Sequence, residues 1–118
     1  MRLVVAVLRP AQLEPVRQAL AAVHVTRLTI CDAQGYHGPR GAAGIVQESV
    51  MEIAVNDDFL ERTVDTIRTA MLLGEDPATD GAGDGSGDGP PSHSDRLFVL
   101  PIHDAVQLYR DVRGPEAV

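Results

Sequence analysis

The stretch Arg2-Leu3-Val4-Val5-Ala6-Val7-Leu8 is apolar at every position after the first, and a helix-period stripe follows it directly. So short and valine-rich a run suits a strand buried on both faces, with no wet side. Pro10 stops it, and Leu13, Val16, Leu20 and Val23 then recur at spacings of three and four over good helix formers. Pro15 fits that helix only near its first turn, because further in it would remove a backbone donor. The same succession returns later in the chain. β-branched residues mark a strand over Ile45–Val55, with Val46, Val50, Ile53 and Val55 inside it. Asn56-Asp57-Asp58 is a helix-start signal, Phe59, Leu60, Val64, Ile67 and Met71 supply the apolar stripe, and Gly74 suits the residue just past the helix end.

Between the two halves, residues 26–33 read as a second strand, with Leu28 and Ile30 alternating with Arg27, Thr29 and Cys31. Three glycines and a proline over 34–41 break all periodicity, so a loop is expected, reaching to residue 49. Residues 75–95 contain Gly83-Asp84-Gly85 and Gly87-Asp88-Gly89 and no large apolar side chain, so they cannot build a core. Order resumes at 96–102, a fourth strand, and 105–109 gives a short amphipathic fifth stretch.

The elements therefore run strand, helix, strand, strand, helix, strand, the split β-α-β arrangement of an α+β, ferredoxin-like βαββαβ sandwich. Helices cover only one face of such a sheet. The second face must carry solvent-tolerant residues or be covered by another chain, and a first strand without a polar side favours another chain.

At 118 residues there is room for one domain, spanning 1–118. The net charge of −7 disfavours phosphate backbones, so nucleic acid is not an expected partner. A lone cysteine, Cys31, excludes an internal disulfide and is expected as a buried thiol. The apolar run ending at Arg9-Pro10 is too short for a signal-peptide core or a spanning helix, so no direct membrane insertion and a cytoplasmic location are expected.

Chemistry-bearing clusters are few. His24, His37, His93 and His103 fall in different elements without a His-x-x-x-His pair, so no metal site is expected. Asp80, Asp84 and Asp88 match neither the EF-hand nor the nonapeptide calcium pattern. No nucleophile has a general base, which argues against an enzyme. His37 lies beside Gly35 and Gly38, where a ligand could contact it, although an exposed loop histidine needs no role. Glu52 stands in an otherwise apolar strand, so it either has partners or faces solvent.

Leu8-Arg9-Pro10, Leu13-x-x-Val16-Arg17-x-Ala19-Leu20, Thr26-x-Leu28-Thr29-Ile30, Gly35-Tyr36, Met51-Glu52-Ile53, Asp57-Asp58, Val64-Asp65-Thr66-Ile67, Phe98-Val99 and Asp104-Ala105-Val106 come in the order and spacing of the PII nitrogen-regulatory signal proteins. The chain resembles that family over most of its length outside the two long loops. The resemblance implies a homotrimer whose sheets form a central barrel. It also implies a non-enzymatic sensor that binds an adenine nucleotide (ATP, ADP or AMP) in clefts between subunits and regulates a membrane transporter or metabolic enzyme. Gly35, Tyr36, His37, Glu52, the triplet Gly87-Asp88-Gly89, Arg96, Gln107, Tyr109 and Arg113 fall at or near the cleft positions that it implies.

The chain departs from the family pattern at functional places. Typical members have a loop after the second strand about one-third to one-half longer than residues 34–49, and Tyr36 sits at its base, so no nucleotidylylation is expected. The lysine that pairs with 2-oxoglutarate in the family is Glu48 here, which would repel that ligand. Gln34 precedes Gly35 where the family's magnesium-site glutamine follows it. Two phosphate-binding arginines are replaced by Gln107 and Tyr109. At roughly 1.5–3 kcal/mol per charge-assisted contact, that loss weakens binding about 10²- to 10⁴-fold. Arg96 and Arg113 could recover part of it, and Tyr109 could stack on a base.

The Gly-Asp-Gly triplets lie in an insertion about 15 to 20 residues longer than the family's phosphate-wrapping loop, and a flexible surface excursion is the more economical account of it. The alternative to a ligand sensor is a trimeric interaction module that keeps the fold and has lost nucleotide and 2-oxoglutarate binding.

Overall fold

A computed structural model of the chain describes residues 1–36, 44–74 and 96–118. The elements are β1 (Arg2–Leu8), α1 (Pro10–Ala22), β2 (Thr29–Tyr36), β3 (Ile45–Val55), α2 (Asp57–Gly74), β4 (Arg96–Pro101), β5 (Val106–Gln107) and β6 (Val112–Arg113), followed by a 3-10 turn at Gly114–Ala117. The first, second, third and fourth strands form one sheet in the order β2-β3-β1-β4, antiparallel at every pairing, and β5-β6 is a separate small hairpin. This is the α+β, ferredoxin-like arrangement that the element order implies.

Register sorts the side chains onto two faces. Val4, Ala6 and Leu8 of β1 stand opposite Ile53, Met51 and Ser49 of β3. With Val16 and Leu20 of α1 and Ile67 and Ala70 of α2, the apolar members of this set form the core. Each large apolar side chain buried there contributes roughly 1.5–3 kcal/mol. The other face carries Leu3, Val5 and Val7, continued by Phe98 and Leu100 of β4. Among the described residues no helix covers that face: Phe98 and Leu100 are 50% and 44% exposed, while Val7, flanked by strands on both sides, is 8% exposed.

Several expectations change. Cys31 is exposed, because it lies opposite Val50 on the uncovered face and away from the helices. The second strand runs three residues later than expected at both ends. At its start, the end of α1 takes up the chain: His24 donates to the Ala21 carbonyl at 3.0 Å and Val25 to that of Leu20 at 2.9 Å. These two bonds are a Schellman closure, with His24 in the left-handed region at φ 69° where glycine is usual. At its other end, the β2 ladder continues through Gln34↔Gln47, Gly35↔Val46 and Tyr36↔Ile45, so the expected 34–49 loop shrinks to the residues between β2 and β3. The 75–95 segment lies outside the described residues.

Pro15 lies inside α1, well past its first turn. Both Pro15 and Ala11, whose carbonyl loses its partner, face solvent, where water can satisfy that oxygen. In α2 the buried stripe includes Thr63, wholly inaccessible, while Phe59 is 37% exposed. Gly74 is the last helical residue. The fifth stretch is one arm of the β5-β6 hairpin, closed by the Gly114 amide donating to the Ala105 carbonyl at 2.8 Å. Gly114 has φ +77°, a conformation that favours glycine.

Candidate functional site

Pleat and pairing place the candidate residues in rows across the uncovered face. One row runs Thr29, Glu52, Val5, Phe98, and the next runs Cys31, Val50, Val7, Arg96. Glu52 is exposed at the centre of this face, which decides between the two readings of it in favour of solvent within the single chain. One row further along, Glu48 stands opposite Ala33 and is 4% exposed. Its carboxyl group lies against Gly35, so closely that a Cβ at that position would overlap it. The absence of a side chain at Gly35 is thus what lets the Glu48 carboxylate lie down. Tyr36, 78% exposed, rests its ring against Gly44 at the start of the returning strand.

Gln107, Tyr109 and Arg113 sit on or beside the β5-β6 hairpin. The Asp104 carboxylate accepts from Arg113 Nη2 at 2.6 Å and from the Ala105 amide at 2.9 Å. The Arg113 hydrogen bond is the main reason that the Asp104 carboxyl is held below its ordinary range; the amide adds to it. The positive charge of Arg113 is therefore already engaged. Arg110, which sequence reasoning passed over, donates from Nε to Gln107 Oε1 at 3.1 Å and holds its guanidinium 5.6 Å from the centre of the Tyr109 ring. The positions where the family arginines are missing thus steady a third guanidinium. Its sequence signal was only its place directly after Tyr109.

Apart from Glu52 at the centre, the candidates fall at two ends of the sheet. Gly35, Tyr36, Glu48 and Arg96 lie at the Leu8 end of β1, since Arg96 pairs with Val7 and Ser49 with Leu8. The hairpin lies at the Arg2 end: Pro101 pairs with Arg2, Ile102 donates to the Met1 carbonyl, and Asn56 Nδ2 donates to the Pro115 carbonyl at 3.1 Å. Six residue steps at about 3.3 Å each separate those ends by roughly 20 Å. His37 and the triplet Gly87-Asp88-Gly89 lie outside the described residues. Among the described residues no group of three or more His, Cys, Asp or Glu side chains could hold a metal ion, and no helix is long and apolar enough to cross a membrane.

The chain is 31% identical to nitrogen regulatory protein GlnK1 of Methanosarcina mazei, with 100% of this chain and 97% of that protein aligned. It is 26% identical to nitrogen regulatory protein P-II of Bradyrhizobium diazoefficiens over the full length of both. Among solved structures, Arabidopsis thaliana PII bound to citrate superposes with a TM-score of 0.69 at 27% identity, covering 99% of this chain and 91% of that one. The family model described as nitrogen regulatory protein P-II matches residues 1–111, that is, β1 through the turn of the terminal hairpin, and the chain belongs to that family.

Proposed function

We propose that the protein is a non-catalytic regulator that assembles as a homotrimer through its uncovered sheet face, binds an adenine nucleotide in the clefts between copies, and controls a membrane transporter or metabolic enzyme. The observation that carries this reading is the separation of the candidate residues to opposite ends of one sheet. Gly35 and Arg96 at one end meet Gln107, Tyr109 and Arg110 only if the second set comes from a neighbouring copy. A cleft between chains satisfies that requirement, and an apolar face bearing Leu3, Val5, Val7, Phe98 and Leu100 supplies the surface for assembly.

In this cleft Glu52 accepts from ligand hydroxyls, Tyr109 offers a ring for stacking, and Arg96 and Arg110 supply the positive charge. The Glu48 carboxylate turns away 2-oxoglutarate. Calorimetric titration of the full chain with ATP, ADP, AMP and cyclic AMP tests the reading, with the oligomeric state followed by light scattering. Saturable binding of at least one nucleotide to a trimer, weakened in Glu52→Gln, is expected. Heat from none of the four overturns it.

In that event the second reading takes over, a trimeric interaction module without a nucleotide. The replacement of the paired arginines by Gln107 and Tyr109, together with Glu48, favours it.

A further inference from the structure

On the helix-covered side of the sheet a cavity of about 300 Å³ opens between α2 and the edge strand β4. Ala6, Leu8, Ile67, Met71 and Leu97 form its apolar floor and walls, with Leu72 at the side. Among the described residues its polar lining is Arg68 and Arg96.

Among the described residues neither arginine is strongly engaged. Arg68 has Asp65 at 4.0 Å, the outer limit of an ion pair, and its side chain is 73% exposed. Arg96 makes no ion pair with any described residue; as the first residue of an edge strand it stands at the margin of the sheet, where a long side chain reaches either face. The C-terminal turn of α2 opposes an anion with about half a unit of negative charge, against two full positive charges.

We infer that this cavity is a binding site for an amphipathic anion, a single carboxylate or phosphate on an apolar body. The body packs on Ile67, Met71 and Leu97 while Arg68 and Arg96 hold the charge at the mouth. At roughly 30 Å³ per water-sized group the space takes about ten non-hydrogen atoms, and its volume is at the lower end of the range for small-molecule sites. The floor of the site belongs to the face opposite the one used for assembly, but the site shares Arg96 with the proposed nucleotide cleft, so Arg68→Gln is the variant that separates the two readings.

Octanoate matches this size and charge. In a methyl-resolved NMR titration of the full chain, octanoate should produce saturable shifts at the Met71, Ile67 and Leu97 methyl groups. Arg68→Gln and Arg96→Gln should each weaken binding about tenfold, as should replacing octanoate by the neutral octan-1-ol. Both arginines are exposed, so neither variant threatens the fold. The absence of saturable shifts at those methyl groups overturns the inference. So does octan-1-ol binding as tightly as octanoate, or octanoate binding unchanged in both variants.

Discussion

Thr63 has no exposed surface, and its hydroxyl finds no hydrogen-bond partner among the described residues. A buried hydroxyl without a partner costs roughly 1–3 kcal/mol in proteins, and valine has the same shape without that group. Thr63→Val should therefore raise unfolding stability by about 1 kcal/mol, read as a higher midpoint in urea with an unchanged slope. An unchanged or lower midpoint would show that the hydroxyl is satisfied. Asp104 presents the opposite case, a carboxylate whose charge is wanted. The Arg113 hydrogen bond and then the Ala105 amide lower its pKa, so the contact between Asp104 and the hairpin is complete above the ordinary carboxylate range. It is lost as pH falls through the lowered value. A carboxyl carbon NMR titration should place the Asp104 midpoint below that of a free aspartate, and Arg113→Gln should move it back up. Neither residue's surroundings were legible in the sequence. Thr63 falls on the apolar stripe of α2 with a polar label, and Asp104 meets Arg113 only because the chain reverses between them.

The elements were more legible than their contents. Alternating valines and a three-four stripe are local signals, so β1, α1, β3 and α2 stand within a residue or a few of where periodicity puts them. β2 does not, because its start depends on how α1 closes. The Schellman closure puts His24 at φ 69°, a conformation costing a side chain roughly 1–2 kcal/mol that glycine does not incur, less glycine's own entropic penalty of about 0.5–1 kcal/mol. His24→Gly is accordingly expected to stabilise the protein by about 0.5–1 kcal/mol in chemical denaturation. Destabilisation would mean that the imidazole makes a contact worth more than the strain. In the sequence the small hairpin reads as one stretch because two strands of two residues leave no period to detect.

For the whole molecule the decisive feature is the uncovered apolar face. Val5 sits near its middle, between Glu52 on one neighbouring strand and Phe98 on the other. If three copies bury this face, Val5→Asp would place an additional carboxylate in the interface at a cost of several kcal/mol. Light scattering should then report a monomer where the parent chain is a trimer. A Val5→Asp chain that remains trimeric would move the interface elsewhere.

That the sheet has a second apolar face is legible in β1, which has no polar side. The sequence by itself determined the order of elements, the family, and which helical and strand positions are apolar, because those are short-range properties of neighbouring residues. Only the tertiary structure decided that Cys31 is exposed, that Gly35 makes room for the Glu48 carboxylate, that the candidate ligand residues stand at opposite ends of one sheet, and that Arg68 and Arg96 share the mouth of an apolar cavity. Each of these depends on the register between strands far apart in the chain. Because side chains alternate faces, a slip of one residue would exchange every partner.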